Sequence, residues 1–283
     1  MSSTYFLEIN GVQVPVVPTA AGIDLGRCLK AKPLLDWAAG LDTDLEISRI
    51  EVDDADYFGA RVGFLKIEAF TTFHGVRVPG ICFMRGGAVS ILVLLKCEGE
   101  TWVVCTRQPR VPVGCAALLE LPAGMLDDSG AFAGVAAKEL KEETGICLRE
   151  EDLVDLTARA LLLDDHGAAS GSGRGGDGGG GGGAIDSAAK ADPARIQNKI
   201  FKSKGLYPSA GGCDEYIRLM FHERNVTRAE LDSMRGKATG NLEEGEVIVL
   251  DLIPYKSLWR ICSDAKALSS MFLYERLLAE GSI

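Results

Sequence analysis

Residues 121–147 read LPAGMLDDSGAFAGVAAKELKEETGIC and carry the most informative pattern in this 283-residue chain. Asp128 or Ser129 can cap the start of a helix, because their short side chains accept hydrogen bonds from free backbone N–H groups. Gly145 can adopt the left-handed conformation that ends a helix. The segment therefore predicts a helix over about 131–144.

Three acids occupy neighbouring positions on this predicted helix. Because an α-helix turns about 100° per residue, Glu142 and Glu143 lie within about 60° of Glu139, on opposite sides of it. The three carboxylates then share one stripe. The side chains expected to pack against a sheet lie on a separate face: Ala133, Ala137 and Leu140.

This acidic stripe has two interpretations. Like charges three or four residues apart destabilise an isolated helix slightly, so the stripe can be a solvated face that Lys138 and Lys141 partly neutralise. A divalent cation would reverse the repulsion. Mg²⁺ prefers oxygen ligands and binds one or two carboxylates together with substrate phosphates, so the stripe can also be a metal site for a phosphate-containing substrate.

The wider pattern resembles the Nudix box. The motif's fixed positions are matched, at its spacing, by Gly124, Lys138-Glu139-Leu140, Glu142-Glu143 and Gly145-Ile146. The resemblance implies an α+β protein, a Nudix-type α/β/α sandwich with a mixed sheet. It also implies a bound Mg²⁺, or Mn²⁺, held by Glu139, Glu142, Glu143 and the backbone carbonyl of Ala123.

Two positions depart from the motif. Its first Glu is Gly130 here, and its Arg is Lys138, which keeps the charge but lacks the planar fork of a guanidinium. Both are supporting positions and not among the three metal-binding acids, so we expect a weakened box. Asp127 or Asp128 can partly replace the missing carboxylate.

Segments outside the box resemble the ADP-sugar diphosphatases. Residues 107–114 (RQPRVPVG) and 119–124 (LELPAG) match the Q-x-R-x-P and E-x-P-A-G segments of those enzymes, and similar phrases recur over nearly the whole chain. The resemblance is greatest to the plant plastid-type ADP-glucose/ADP-ribose diphosphatases. It implies that metal-activated water hydrolyses the diphosphate bond of ADP-ribose or ADP-glucose, releasing AMP and a sugar phosphate.

The same resemblance implies further site residues. Glu246 is the expected general base, with Glu142 as a second catalytic group, although the stretch GNLEEGEVIVL (240–250) can also be an acidic hairpin tip. The expected substrate contacts are Arg110, Gln108, Gly124, Gly212 and Glu215. Arg110 is assigned to the diphosphate or the terminal sugar, because a guanidinium presents paired donors. A simple turn explains Gly212 almost as well.

Composition argues against several classes of protein. With 30 Lys+Arg against 40 Asp+Glu, the formal charge is −10, which opposes binding to nucleic acid. No apolar stretch approaches the roughly 20 residues of a membrane-spanning helix. The N-terminus lacks secretory or transit features and the eight cysteines lack metal-ligand spacing, so we expect a cytoplasmic protein with reduced thiols.

Patterning divides the chain into two regions. Strand signals at 45–52, 62–69 and 76–83 predict a strand-rich region over residues 1–85, with a helical stretch at 25–41 interrupted by Pro33; by resemblance, this region supports a homodimer. The Nudix hydrolase domain is expected over 86–283, with strands at 89–95, 102–105 and 247–253. A helix at 265–279 would share one face among Leu268, Met271, Phe272 and Leu278. The Gly-rich segment at about 164–205 is predicted to be a disordered insertion.

Two functional alternatives stay open at this point. The chain can hydrolyse another nucleoside diphosphate, such as UDP-glucose or NADH, with the same chemistry and a different leaving group. It can also be a nucleotide sensor of the Nudix fold that binds without cleaving, an interpretation motivated by Gly130 and Lys138.

Overall fold

The computed structural model describes residues 5–126, 132–161, 203–240 and 245–283. These residues form two compact units. The first contains the described residues up to Gly86 together with Ser209–Asp214, and the second contains the rest. The predicted Gly-rich insertion lies outside the described residues as far as position 202, and so do the predicted helix caps Asp128 and Ser129.

The first unit is built on a six-stranded sheet. Its strands are β1 (Tyr5–Ile9), β2 (Val12–Pro18), β3 (Leu45–Phe58), β4 (Arg61–Phe73), β5 (Val76–Val78) and β6 (Ile81–Met84). They are arranged in the order β1-β2-β3-β4-β5, and β6 also pairs with β4. Only β2 and β3 are parallel among these described strands.

Two helices, α1 (Leu25–Cys28) and α2 (Lys32–Ala39), pack on this sheet. The predicted interruption at Pro33 is confirmed, because this residue lies in the first turn of α2, where its missing N–H costs no helical hydrogen bond. The strand signal at 76–83 corresponds to two short strands and not to one. Gly80 passes so close to β4 that an added Cβ would lie 1.9 Å from the carbonyl oxygen of Ala69, and the strand is split there into β5 and β6.

The second unit is built on an eight-stranded mixed sheet. Its strands are β7 (Gly87–Cys97), β8 (Glu100–Arg110), β9 (Cys115–Glu120), β10 (Ala123–Met125), β11 (Val154–Asp155), β12 (Tyr216–Asn225), β13 (Ala238–Thr239) and β14 (Ile248–Pro254). The central order is β11-β12-β7-β8-β14-β13, with β10 beside β7 and β9 beside β8. The pairing of β12 with β7 is parallel, whereas β7 and β8 are antiparallel.

Helices cover both faces of this sheet. They are α3 (Phe132–Thr144), α4 (Leu156–Leu161), α5 (Arg228–Met234), α6 (Tyr255–Ile261) and α7 (Ala265–Ala279). Strand β7 is apolar on both faces, so Ile91 packs in the core that contains α3 while Leu92 packs in the core that contains α7. The predicted α/β/α sandwich with a mixed sheet is therefore confirmed.

The bounds of the two long helices agree with the sequence, but their buried faces do not. In α3 the buried apolar side chains are Val135, Ala136 and Leu140, not Ala133 and Ala137. In α7 the buried side chains are Ala267, Ser270, Met271, Leu273 and Leu277, whereas Leu268, Phe272 and Leu278 are exposed. Small residues decide both orientations, because Ala136, Ala267 and Ser270 are fully buried and allow close approach of the helix to the sheet.

Two predictions from the composition concern the cysteines and membrane-spanning helices. All eight cysteines lie in the described part of the chain and all are free thiols, as expected. No helix in the described ranges is long and apolar enough to cross a membrane.

Candidate active site

Gly124 lies directly against the acidic side of α3. It belongs to β10, which pairs with β7 in antiparallel register and so holds the box glycine beside the helix. A Cβ added at Gly124 would lie 1.9 Å from Cδ of Glu139 and 2.1 Å from its Oε1. Glycine is therefore the only residue that leaves room for the Glu139 carboxylate in this position.

Glu143 is a buried carboxylate at the last turn of the same helix. Its Oε2 accepts a hydrogen bond of 3.1 Å from the backbone N–H of Ala123. Burial raises the pKa of Glu143 to about 8, and the negative charges of Glu139 and Glu246 act in the same direction. The Ala123 hydrogen bond and the positive charge of Arg110 oppose this rise in pKa. Glu143 therefore lies within electrostatic range of two acids and one arginine.

Thr239 and Gly240, at the end of β13, lie close to the backbone of both Glu143 and Glu246. The hydroxyl of Thr239, in β13, donates a hydrogen bond to the backbone carbonyl of Glu143. Gly240 follows with a φ of +84°, and an added Cβ there would lie 2.9 Å from the carbonyl oxygen of Glu246. Thr239 and Gly240 therefore link the C-terminal turn of α3 to the backbone of Glu246. Glu246 is itself an exposed residue.

Glu142 has a different environment from the other two helix acids. Its side chain is 54% exposed, and its Oε1 lies 4.0 Å from Nζ of Lys138 in the preceding turn. Rotation of α3 toward the sheet buries Glu143 and leaves Glu142 facing solvent. Ideal helix geometry predicts that the three carboxylates share one stripe equally. In the structure Glu143 is buried, Glu139 is half-buried and Glu142 is exposed.

No three acidic, histidine or cysteine side chains within the described ranges form a closed metal-binding cluster. The donor set nevertheless suits a divalent cation, because a hard ion such as Mg²⁺ usually binds through one or two carboxylates and completes its coordination with water and substrate phosphates. The buried Glu143 carboxylate is charged only at a cost, and a cation would offset it. The residues that would hold the ion are Glu139 and Glu143, with Ala123, Glu142 and Glu246 as further predicted contacts.

Arg110 is attached to a buried network that the sequence patterns do not indicate. Its Nε donates a 2.7 Å hydrogen bond to Oε2 of Glu120. The other oxygen of Glu120 accepts a bond of 3.1 Å from Nζ of Lys266, which also donates to Asp264 at 2.9 Å. Glu120 and Lys266 are separated by 146 residues, so no spacing rule connects them. The only signal available was Glu120 itself, within the LELPAG segment.

The other predicted substrate contacts lie in different surroundings. Gln108 lies in β8, where it pairs with Leu118 of β9. Gly212 belongs to the first unit, and its carbonyl accepts a 2.8 Å hydrogen bond from the N–H of Phe83. Glu215 begins the last segment of the second unit. The roles of these three residues in substrate binding stay predictions.

The chain is similar to known proteins over most of its length. Residues 84–172 match the NUDIX domain family. The chain is 39% identical over 282 residues to Nudix hydrolase 14, chloroplastic, of Arabidopsis thaliana, which covers 95% of this chain and 79% of that protein. The chain therefore belongs to the Nudix hydrolase family, and the predicted family and enzyme class are confirmed.

Two further similarities are more limited, one in its length and the other in its sequence identity. An uncharacterized Nudix hydrolase of Schizosaccharomyces pombe is 40% identical over 111 residues, which are 36% of this chain and 50% of that protein. The crystal structure of an ADP compounds hydrolase is 15% identical, with a TM-score of 0.47, covering 85% of this chain and 98% of that one.

Proposed function

We propose that this Nudix hydrolase is a divalent-metal-dependent diphosphatase that converts ADP-sugars, such as ADP-ribose and ADP-glucose, to AMP and a sugar phosphate. The observation that carries the proposal is the buried Glu143 carboxylate, within electrostatic range of Glu139, Glu246 and Arg110. This grouping supplies acidic oxygens for a cation and a guanidinium for phosphate oxygens at one location.

The acids have an electrostatic reason to bind a cation. Burial and two neighbouring acids raise the pKa of Glu143 to about 8, so ionising it without a cation is unfavourable near neutral pH. Mg²⁺ or Mn²⁺ would stabilise the ionised form and, when bound, would lower the pKa of water and neutralise charge on the diphosphate. Glu139 and Glu143 hold this ion in our proposal.

Arg110 binds the substrate phosphates in this proposal. Its Nε is engaged by Glu120, and its side chain is 41% exposed. The two terminal nitrogens make no hydrogen bond with the described residues, so they present paired donors. A diphosphate presents several anionic oxygens that can accept hydrogen bonds from these nitrogens. Arg110 therefore suits an ADP-sugar better than a neutral substrate.

Glu246 is the proposed general base. It is exposed and yet within electrostatic range of Glu143, so it can accept a proton from water beside the acidic cluster. Glu142, exposed and one position before Glu143, is the proposed second catalytic carboxylate. Both assignments extend the family resemblance to residues that the fold leaves accessible.

Turnover of a substrate panel tests the proposal. Purified protein with Mg²⁺, and again with Mn²⁺, is expected to release AMP from ADP-ribose or ADP-glucose, and Glu143→Gln is expected to reduce the rate by at least about a hundredfold. Preferential cleavage of UDP-glucose or NADH would replace the substrate assignment. Tight binding of ADP-ribose without product would instead support a nucleotide sensor. Undiminished turnover by Glu143→Gln would refute the metal site.

A homodimer is also part of the proposal. The first unit exposes large apolar side chains at Phe58, Ile81 and Phe83. The rings of Phe58 and Phe83 both contact Phe64, with centroid separations of 5.3 and 5.4 Å, so they form one aromatic surface on the sheet. Light scattering is expected to give twice the chain mass, and Ile81→Asp is expected to give the monomer. An active monomeric wild type would contradict the dimer.

The cellular location is proposed to be the cytoplasm. The relative from Arabidopsis thaliana carries a chloroplastic name, which describes that protein. Imaging of the full chain with a C-terminal fluorescent tag would show diffuse cytoplasmic signal under our proposal, and confinement to an organelle would overturn it.

A further inference from the structure

A buried ionic network connects the start of α7 to Arg110. Nζ of Lys266 lies 3.1 Å from Oε1 of Glu120 and 2.9 Å from Oδ1 of Asp264. The Lys266 side chain is 15% exposed and the Glu120 side chain 6%. The opposite oxygen of Glu120, Oε2, accepts from Nε of Arg110 at 2.7 Å. Each oxygen of Glu120 therefore contacts one cation.

The backbone fixes the position of this network. Asp264 caps α7 by accepting from the N–H of Lys266 at 3.0 Å, and its other oxygen accepts from the N–H of Leu121 at 3.1 Å. The thiol of Cys262 donates to the carbonyl of Leu119 at 3.2 Å. The connection between α6 and α7 is thus bonded to the backbone on both sides of Glu120, at Leu119 and Leu121. Leu121 lies two residues before Ala123, whose N–H donates to Glu143.

The ammonium of Lys266 stays charged in this environment. Burial alone would lower its pKa, but attraction by Asp264 and Glu120 outweighs burial and raises the pKa above the ordinary lysine value. A buried ion pair of this kind contributes little net stability on average, because desolvation offsets most of the attraction. A contribution to the geometry of the site is therefore the better explanation for the network.

The geometry of Glu120 limits how it can hold Arg110. An arginine and a carboxylate frequently pair through two parallel hydrogen bonds, which use two guanidinium nitrogens. Here Glu120 contacts only Nε of Arg110, since its second oxygen is held by Lys266. Without the ammonium, both oxygens of Glu120 would be available to Arg110. The carboxylate would then also bind a terminal nitrogen and withdraw it from a substrate.

We propose that Lys266 is a positioning residue for Arg110: by holding one oxygen of Glu120, it restricts that carboxylate to Nε and leaves both terminal nitrogens of Arg110 for the substrate diphosphate. This inference rests on the proposed function for the identity of the ligand. The restriction on Arg110 itself belongs to the free protein and can be measured without any substrate.

Chemical modification of the substrate-free protein tests the restriction directly. Phenylglyoxal reacts with the terminal nitrogens of arginine, and peptide mass spectrometry gives the rate at Arg110 relative to the exposed Arg77. Lys266→Met is expected to slow modification of Arg110 about threefold, because a bidentate pair occupies a terminal nitrogen. Local unfolding would have the opposite effect and speed the reaction. An unchanged or faster rate would overturn the proposal.

Matched variants separate this effect from loss of charge or of stability. Lys96→Met removes the lysine of an exposed pair with Glu223, 2.9 Å apart, and is expected to leave the rate at Arg110 unchanged. Lys266→Arg restores a cation and is expected to return the rate toward that of the wild type. If methionine at position 266 prevents folding, Lys266→Ala removes the same ammonium with a smaller side chain and carries the same expectation.

Steady-state kinetics connect the restriction to the substrate. Lys266→Met is expected to raise KM for the preferred ADP-sugar about tenfold while kcat changes little, because a lost charged hydrogen bond weakens ground-state binding. A fall in kcat with unchanged KM would overturn the positioning role. Absence of ADP-sugar turnover in the wild type would refute the proposed function alone, and the modification rates would still decide the role of Lys266.

Discussion

Gly124 packs so closely against the Glu139 side chain that a methyl group at position 124 would collide with the carboxylate. A Cβ on Gly124 would lie 1.9 Å from Cδ of the Glu139 carboxylate. The atom that must yield is the end of a flexible side chain and not backbone. Substitution is therefore expected to move the carboxylate while the fold persists, which separates catalytic from structural damage.

Gly124→Ala is accordingly predicted to lower kcat/KM about a hundredfold with a loss of about 1 kcal/mol or less in the free energy of unfolding. Gly99→Ala is the matched control. Gly99 has a φ of +80° and no neighbour within 4 Å, so alanine there introduces backbone strain without touching the site. Enzyme kinetics and urea denaturation of both variants check the prediction. Equal activity in the two would contradict the placement of Glu139 against Gly124.

The sequence predicted α3 to within about one residue of its start, because the apolar and acidic positions and Gly145 are all local signals. It did not predict which acid is buried. An isolated helix treats Glu142 and Glu143 alike, whereas the folded helix turns Glu143 toward Ala123 of β10. That distinction depends on a contact between elements 20 residues apart and is absent from the periodicity of the helix itself.

The surroundings of Arg110 show a second limit of sequence reasoning. The guanidinium was assigned to a phosphate because of its chemistry, and this assignment requires only the residue type. Its partner Glu120 is in turn held by Lys266, which lies in α7, 146 residues from Glu120. Only the packing of α7 on the sheet creates this pairing, so it becomes visible in the structure alone.

The raised pKa of Glu143 predicts how stability depends on pH in the metal-free protein. The unfolded carboxylate has a pKa near 4.5 and the folded one about 8, so the folded state binds more protons between these values. The contribution of Glu143 to the free energy of unfolding is negligible below pH 4.5. It destabilises the folded protein progressively as the pH rises, and the effect levels off above pH 8. From pH 5 to pH 8 the loss is on the order of 4 kcal/mol, since one pKa unit corresponds to about 1.4 kcal/mol.

Urea denaturation in EDTA at pH 5, 6, 7 and 8 measures this dependence. Glu143→Gln removes the titrating group, so its stability relative to the wild type is expected to increase steadily over this range. Glu142→Gln, one residue earlier and exposed, is expected to keep the slope of the wild type. Parallel curves for the wild type and Glu143→Gln would show that Glu143 does not titrate in this range.

Metal binding is predicted to compete with the proton on Glu143. Mg²⁺ needs the ionised carboxylate, so its stabilising effect on the wild type should be larger at pH 8 than at pH 6. Differential scanning fluorimetry with and without an excess of Mg²⁺ would measure the change in Tm. Glu143→Gln should show little change at either pH. Removal of metal with EDTA should abolish turnover, and excess Mg²⁺ or Mn²⁺ should restore it.

The hydrogen bond from Thr239 to the carbonyl of Glu143 predicts that a substitution at Thr239 affects the position of Glu246. Thr239→Val keeps the shape of the side chain and removes the donor, so the anchor between β13 and α3 is lost at a cost of about 1 kcal/mol. Glu246 then samples more positions, and kcat is expected to fall about tenfold with a smaller change in KM. Thr72→Val, which removes an exposed bond to Glu46 in the first unit, is the control and should retain full turnover.

A double variant tests whether Thr239 acts through Glu246. Since Glu246 is the proposed base, Thr239→Val/Glu246→Gln should be no slower than Glu246→Gln alone. Additive losses would show that Thr239 acts through α3 instead.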